Sequence, residues 1–175
     1  MKINLIVSTY RHREIDAQCE LHWVLNLFGD RNPTSQITSV SGILTARTNL
    51  DPFQVVKRVK RFIHEEPWNV RFILRVIPIE IVLFDVGIDL IKGAVTSLSS
   101  KMQLSDSFRI TVEKRNTSIS STEIISKIGS AFNNPVNLEN PYWLVLVEII
   151  GKAIGVSILR PDDIFSLEKE IRRDV

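Results

Sequence analysis

Hydrophobic and polar positions in the first half of the chain alternate between strand spacing and helix spacing. The short apolar run INLIVS predicts a strand. The next segment predicts a helix, because five apolar residues recur on or near one helix face: Ala17, Leu21, Val24, Leu25 and Phe28. Two β-rich segments, SQITSV and ILTART, flank the turn signal of Ser41 and Gly42 and therefore predict a hairpin.

A second helix and a long strand complete this half of the chain. Asp51 is a typical N-cap and Pro52 a typical first helical residue, and the apolar positions that follow form one stripe. EEPW ends the helix, because the residue before a proline is pushed out of the helical region. The run NVRFILRVIPIEIVLF then predicts one long strand. Residues 1–84 therefore have the β-α-β-β-α-β order of a ferredoxin-like domain.

Residues 85–175 follow a different order. Their pattern predicts a helix over 87–102, the strand SFRITVEK, a helix over 121–132, the strands YWLVLVEII and IGVSIL, and a last helix over 162–173. The predicted fold class is α/β (α+β), with the ferredoxin-like domain followed by an α-β-α-β-β domain that carries the C-terminal helix. The boundary between the two domains is predicted near Phe84 to Val86.

Composition and charge exclude several classes of protein. The chain has 175 residues, of which 44% are hydrophobic and 24% charged, as in an ordinary globular protein. The single cysteine, Cys19, cannot form an internal disulfide, no secretion leader is recognisable, and no apolar run reaches the ~18 residues of a membrane helix. We therefore expect a cytoplasmic protein with no membrane association. The net charge of +2 leaves nucleic-acid binding open without requiring it.

Sequence motifs of catalysis and metal binding are absent. The chain lacks a GxxxxGKS/T phosphate loop and the GxGxxG, GxSxG, HExxH and CxxC patterns. Its three histidines, His12, His22 and His64, do not have the spacing of metal ligands. The segment GKAIG lies between two predicted strands and predicts a hairpin turn. We therefore expect no catalytic residues, no cofactor and no metal, and a role other than that of an enzyme.

The segment FRITVEKRNTSISSTEIISKIG, residues 108–129, carries the most informative pattern. Its apolar and polar residues alternate along a strand, so one face of that strand should lie in the core and the other should face solvent or a partner. Lys114 and Arg115 come at the end of this strand. Ser120 and Glu123 form a capping-box pattern, which would start a helix whose first N–H groups point back toward the same strand end.

Two cations, a helix N-terminus and several hydroxyls, including those of Thr117 and Ser118, would then share one small region. That combination suits a phosphate. In the alternative interpretation, Lys114 and Arg115 are an ordinary solvated strand end and the serines only cap the helix.

Two other features of the sequence have ordinary structural interpretations. The basic run VVKRVKRF spreads over more than half of a helix circumference, which is typical of a solvated helix face. The three tryptophans are interpreted as core or domain-interface packing rather than as base-stacking platforms: Trp23, Trp68 and Trp143.

Taken together, these segments resemble the THUMP domain of RNA-modifying proteins, preceded by the ferredoxin-like domain that usually accompanies it. The resemblance rests on FRITVEKRNTS, SSTEIISKIG, VNLENP and VLVEIIGKAIGVSIL, and extends over nearly the whole chain, from VSTYRHREIDAQCEL to ILRPDDIF. It implies binding of tRNA by the paired domains, typically through the single-stranded acceptor end. It also implies RNA contacts by Lys114 and Arg115, with supporting contacts from Arg109, Thr117 and Ser118.

The resemblance further implies the kind of role the protein has. Enzymes of this family carry a methyltransferase, thiouridine synthase or deaminase domain elsewhere in the chain, whereas here the THUMP-like segment takes up the residues after Phe84. The chain is thus similar to the stand-alone adaptors that present tRNA to a separate cytidine acetyltransferase. The alternatives are an RNA-binding subunit of a split tRNA thiolation or methylation enzyme and, more distantly, a small hydrolase or transferase. Asn116, where the family often has histidine, and Tyr142, where an aspartate often follows the proline, depart from the family pattern.

Overall fold

The computed structural model describes residues 3–85 and 87–173. In chain order, the helices and strands are β1 (Leu5–Ser8), α1 (Glu14–Leu27), β2 (Thr34–Ile37), β3 (Ile43–Arg47), α2 (Pro52–Glu65), β4 (Arg75–Pro78), β5 (Ile81–Phe84), α3 (Ile88–Leu98), β6 (Phe108–Arg115), α4 (Ser121–Gly129), β7 (Trp143–Ile150), β8 (Ala153–Leu159), β9 (Phe165–Ser166) and α5 (Leu167–Arg173). The predicted α/β class is confirmed, with two sheets in this part of the chain. None of its helices combines the length and apolar composition needed to cross a membrane.

The contacts divide the chain into two units. The first unit comprises the described residues up to Ile79 and those from Asp162 onward, and the second runs from Glu80 to Pro161. In the first unit the strand order is β2-β3-β1-β4-β9, with every neighbouring pair antiparallel. The order β2-β3-β1-β4 is compatible with a ferredoxin-like domain.

Helices α1 and α2 supply much of the core of the first unit. The apolar face predicted for α1 is confirmed, because all five of its residues belong to this core. The predicted start of α2 is also confirmed, since the Asp51 side chain accepts a hydrogen bond from the Gln54 N–H at 2.9 Å and Pro52 is the first helical residue. The helical periodicity of the sequence therefore predicts both helices correctly.

The predicted hairpin is confirmed as the β2–β3 pair, and it requires a glycine. Gly42 has a φ of +77°, and a Cβ atom built there would lie 2.8 Å from the Thr9 carbonyl oxygen. The Gly42 N–H also donates to the Glu14 carboxylate at 2.6 Å, and this bond holds the pKa of Glu14 below its ordinary value. The turn thus depends on both the backbone freedom and the small size of Gly42.

The sequence predicts one long strand over NVRFILRVIPIEIVLF, and this prediction is wrong. The run forms two strands, β4 and β5, which lie in different sheets. β4 pairs with β1, whereas β5 pairs with β8. The Ile79 N–H donates to Asn4 at 2.9 Å, and the next N–H, that of Glu80, donates to Val156 at 3.2 Å. Apolar periodicity misses this change of sheet because both strands have β-rich sequences.

The C-terminal segment lies in a different unit from the one predicted. The sequence predicts residues 85–175 as the second domain, whereas the contacts place the described residues from Asp162 onward in the first unit. β9 pairs with the edge of β4, and Phe165 is fully buried in the first core. The helix predicted over 162–173 begins only at Leu167, because β9 precedes it, and the local sequence does not show which core the segment joins. Val86, at the predicted boundary, lies outside the described residues.

The sheet of the second unit has the order β5-β8-β7-β6, in which only the β6–β7 pair is parallel. Helices α3 and α4 pack on one face, where their buried isoleucines and valine join the strands in a second core: Ile91, Val95, Ile124 and Ile128. Phe108, Ile110 and Val112 of β6 belong to or pack against this core, which confirms the predicted alternation. Arg109, Thr111, Glu113 and Arg115 consequently lie on the opposite face.

Candidate nucleic-acid interface

The turn between β6 and α4 has the geometry that the capping box predicts. α4 begins at Ser121, and the Ser120 hydroxyl accepts a hydrogen bond from the Glu123 N–H at 3.3 Å. Asn116 follows the strand with a φ of +57°, a left-handed conformation that asparagine tolerates better than most residues. The chain therefore turns sharply after Arg115 and brings the N-terminus of α4 toward the end of β6.

Lys114 lies beside this helix N-terminus. Its side chain is exposed, and Nζ donates to the carbonyl oxygen of Ile119, the residue before the N-cap, at 2.8 Å. The Thr117 hydroxyl accepts from the Ile119 N–H at 3.4 Å, and Ser118 is exposed in the same turn. The structure thus brings together Lys114, Thr117, Ser118 and the first turn of α4. We refer to these residues and this turn as the α4 cluster.

Arg115 does not join the α4 cluster as a second free cation. Its Nη1 donates to Glu148 Oε2 at 2.9 Å, and its Nη2 lies 4.0 Å from Glu113 Oε2. Glu148 is fully buried on β7, and it lies opposite Glu113 in the β6–β7 register. The guanidinium therefore neutralises a buried carboxylate, with 30% of the Arg115 side chain exposed. The sequence signal for this partner is the single acidic residue in the apolar run YWLVLVEII.

Arg109 lies near the other end of β6. It precedes Lys114 by five residues, or roughly 17 Å at the rise of a strand. Its Nη1 donates to the Leu138 carbonyl oxygen at 2.8 Å. The structure therefore does not bring Arg109 together with the other four predicted contact residues.

A second polar cluster, which the sequence analysis missed, involves the N-terminal end of β7. The Trp143 indole N–H donates to Asp106 at 2.9 Å, and this bond, with one from the Gln103 N–H, lowers the pKa of Asp106. The Arg160 guanidinium carbon lies 3.2 Å from the centroid of the Tyr142 ring, in a cation–π contact. These residues come from three separate segments, so no local pattern could have grouped them.

Two of the three tryptophans differ from their sequence interpretation, whereas the basic helix agrees with it. Trp143 packs against the second core, whereas Trp23 and Trp68 are largely exposed rather than packed in a core. Lys57 and Arg61 of α2 are exposed, as expected for a solvated helix face. The predicted hairpin turn at GKAIG is also confirmed, because it joins β7 and β8.

Within residues 3–85 and 87–173, no group of three or more histidine, cysteine, aspartate or glutamate side chains could hold a metal ion. Two features of the second unit offer polar or aromatic groups to a ligand. These are the exposed cation and hydroxyls of the α4 cluster and the aromatic cluster at the start of β7. Both are suited to binding an anionic or aromatic ligand.

The second unit is a mixed α/β domain with a parallel β6–β7 pair, two helices on one face and an exposed lysine at a helix N-terminus. Residues 88–159 match the family model of the THUMP domain. The chain therefore contains a THUMP domain, and this finding confirms that part of the resemblance seen in the sequence. No curated protein matches the chain in sequence.

Solved structures support the fold over most of the chain. The chain is similar to PH1313 from Pyrococcus horikoshii Ot3, with 18% identity and a TM-score of 0.62, covering 91% of this chain and 55% of that one. It is similar to TrmN from Thermus thermophilus, with 15% identity and a TM-score of 0.59, covering 92% and 47%. A 4-thiouridine synthetase, solved as an RNA complex with bound ATP, has 12% identity and a TM-score of 0.56, covering 91% and 42%. The chain thus spans about half the length of these proteins.

Proposed function

We propose that this protein is a non-catalytic tRNA-binding adaptor, which presents tRNA through its acceptor end to a separate RNA-modifying enzyme. The observation that carries this proposal is a THUMP domain in which exposed Lys114 lies beside the capped N-terminus of α4. THUMP domains are associated with tRNA binding, and one of the similar structures is itself an RNA complex. These findings support RNA binding as the role of the second unit.

The α4 cluster has the chemistry to hold a backbone phosphate. Lys114 uses one donor on the Ile119 carbonyl, and an ammonium has three donors, so two N–H bonds remain for a ligand. The first turn of α4 adds N–H groups outside the intrahelical ladder and the positive end of the helix dipole. The hydroxyls of Thr117 and Ser118 can donate to the same phosphate. Arg115 would contribute through its remaining N–H groups while Nη1 stays on Glu148.

We propose a cytidine acetyltransferase as the separate enzyme, following the resemblance to stand-alone THUMP adaptors. The second candidate is an RNA-binding subunit of a split tRNA thiolation or methylation enzyme. The similarity to a 4-thiouridine synthetase and to TrmN favours this alternative, because the chain corresponds to only about half of each of those proteins. Under either proposal, the catalytic chain is a separate molecule.

Fluorescence anisotropy of tRNA with the purified protein tests the proposal. Intact tRNA and tRNA without its terminal CCA would be compared at about 50 and about 200 mM salt, because phosphate contacts release counterions and make affinity fall steeply with salt. Lys114→Ala would be compared with Lys169→Ala, which removes another exposed lysine. We expect weaker binding without CCA and a loss only in Lys114→Ala. Absence of tRNA binding at the lower salt would refute the proposal.

The identity of the partner enzyme requires a second assay. The protein would be mixed with purified cytidine acetyltransferase and tRNA, and in parallel with a thiolation or methylation enzyme, and product formation would be measured. An adaptor for acetylation should show no turnover alone and should stimulate only the acetyltransferase. Stimulation of another catalytic chain would favour the split-enzyme alternative, and turnover by the protein alone would exclude both.

A further inference from the structure

Helix α1 carries apolar side chains on two faces. One face lies in the core of the first unit. The other carries a second series at intervals of four residues, in which Ile15 is 70%, Trp23 47% and Leu27 54% exposed, with exposed Cys19 between the first two. We refer to Ile15, Cys19, Trp23 and Leu27 as the α1 stripe. Residues four apart lie one above the other on a helix, so the stripe is continuous and about 18 Å long.

The stripe extends sideways onto α2. The Trp23 ring lies 5.8 Å from the ring of Phe62, which is only half-buried. Phe62 in turn makes an edge contact with Phe28, at 6.2 Å between centroids. The exposed apolar surface therefore continues from α1 to the neighbouring helix. Several exposed apolar groups along one surface, rather than scattered single ones, indicate an interaction site.

The α2 side of this surface is positively charged. Lys57, Arg58 and Arg61 form what we call the basic flank. Arg58 holds its guanidinium 4.3 Å from the centroid of the Phe28 ring, while Lys57 and Arg61 are exposed. Arg61 is paired with Glu65, whose carboxylate oxygen lies 4.0 Å from Arg61 Nε. The flank thus keeps a net positive charge beside the stripe.

Acidic groups of α1 and its loops do not cancel this charge. Asp16 is engaged by Arg13 at 3.1 Å. The Glu20 carboxylate accepts hydrogen bonds from three successive backbone N–H groups, those of residues 71–73, at 2.7 to 2.9 Å. A ligand that complements this surface therefore has apolar groups beside α1 and acidic groups beside α2.

We propose that the α1 stripe and the basic flank bind an amphipathic helix of the catalytic partner, with its apolar residues on the stripe and acidic residues on the flank. Recognition of an amphipathic helix by apolar anchors along a surface is a recurring mode of protein binding. The inference rests on the proposed function, which requires such a partner. It adds the surface on which the partner docks and the chemistry of the segment that docks there.

The chemistry of the stripe distinguishes this occupant from RNA and from a second copy. Ile15 and Leu27 are aliphatic, so they have neither a ring face for base stacking nor a donor for phosphate. An isologous contact between two copies would offer each basic flank no acidic counterpart, because both copies present the same patch. An acidic amphipathic helix complements both the apolar α1 stripe and the basic flank.

Exposed positions allow the test to be made in the full chain with little risk to the fold. The stripe variant is Ile15→Ser with Leu27→Ser, and the flank variant is Lys57→Glu with Arg61→Glu. The matched controls are Leu90→Ser, which replaces an exposed leucine on α3 of the other unit, and Lys169→Glu on α5. Each variant would be assayed for tRNA affinity, for affinity to purified cytidine acetyltransferase, and for sedimentation.

We expect the stripe and flank variants to lose about tenfold in affinity for the acetyltransferase, the loss typical of removing an interface anchor. Their tRNA affinity and the behaviour of both controls should stay unchanged. Cys19, the single cysteine, gives a second readout that needs no substitution. Its alkylation by a maleimide should slow when the acetyltransferase is added and should not slow with tRNA alone.

Four outcomes would overturn the inference. Unchanged affinity of both variants for an enzyme that the wild-type protein binds would refute the docking surface and leave the proposed function intact. Loss of tRNA affinity in the stripe variant would make this an RNA surface. Self-association that the stripe variant abolishes would make the occupant a second copy. Failure of the wild-type protein to bind or stimulate the acetyltransferase would refute that proposed partner and the inference with it.

Discussion

Replacement of the two neighbouring cations at the end of β6 should separate stability from RNA binding. Lys114→Ala removes an exposed ammonium whose hydrogen bond is to a carbonyl in an exposed turn, so its effect on stability should stay within about 0.5 kcal/mol. Arg115→Ala instead removes a donor from the fully buried Glu148 carboxylate. The two residues are adjacent in sequence, but we expect Arg115→Ala to affect mainly stability and Lys114→Ala to affect mainly RNA binding.

The size of the Arg115 effect follows from burial. Removing one member of a buried ion pair costs roughly 3 to 5 kcal/mol, and a hydrogen bond to a charged group contributes roughly 1.5 to 3 kcal/mol. Arg115 is 30% exposed, so solvent screens the pair in part. We therefore expect Arg115→Ala to lower the free energy of unfolding of the second unit by about 2 kcal/mol.

RNA affinity should depend more on Lys114 than on Arg115. Lys114→Ala should weaken tRNA binding by about 1 kcal/mol and reduce the salt slope by about one, as for the loss of one phosphate contact. Arg115→Lys is the matched variant, because it keeps the charge but loses the planar geometry that reaches Glu148. Native-state hydrogen exchange of the β6–β8 amides measures the stability of this unit separately from that of the first unit.

The reasoning would be refuted by either of two results. If Arg115→Ala changes exchange protection in β6–β8 no more than Lys114→Ala does, the contact with Glu148 contributes no stability. If Lys114→Ala leaves both tRNA affinity and its salt dependence unchanged, the α4 cluster does not hold a phosphate. A double-mutant cycle of Arg115→Ala with Glu148→Ala would measure their coupling directly.

Three further predictions concern the first unit. Phe165→Ala should lower its free energy of unfolding by about 4 kcal/mol, because the side chain is fully buried; urea unfolding measures this, and a loss under 1 kcal/mol would contradict the placement of β9. Gly42→Ala should destabilise by more than about 1 kcal/mol, since its Cβ would lie 2.8 Å from the Thr9 carbonyl oxygen; a wild-type melting temperature would disprove that constraint. Burial alone would raise the pKa of Asp30, but hydrogen bonds from Thr48 and neighbouring groups lower it. The carboxylate therefore stabilises the fold fully above the ordinary pKa of 3.8 and loses this contribution as the pH falls through the lower folded-state pKa. Asp30→Asn should reduce the loss of melting temperature at acid pH in a pH series of melting curves, and an unchanged loss would argue against this role.

Periodicity and caps predicted most of the local structure. The α1 core face, the Asp51 cap and the Ser120 cap are confirmed, since each depends on residues close together in the chain. The change of sheet between Ile79 and Glu80 could not be predicted, because neighbouring apolar residues with the same alternation enter two different cores. Helix and strand spacing report which residues are buried, not which partner buries them.

The candidate site was predicted only as far as local chemistry allowed. Capping residues and a strand end correctly indicated that Lys114 lies at the start of α4. The Arg115–Glu148 contact joins residues 33 positions apart, so it depends on the β6–β7 register and not on local sequence. The α1 stripe was present as an i, i+4 series, but a series of that kind does not by itself show which of two apolar faces is exposed.

The pairing of β9 with β4 has a consequence for synthesis on the ribosome. The second unit, Glu80–Pro161, is inserted between the two segments of the first unit. The edge of β4 therefore has no partner strand until residues 165–166 have been translated and leave the exit tunnel. Throughout that interval the nascent chain exposes an open β-edge, which is a template for aggregation. A ribosome that stalls between the two segments would release a chain in which the first unit lacks β9 and leaves the β4 edge open to other chains.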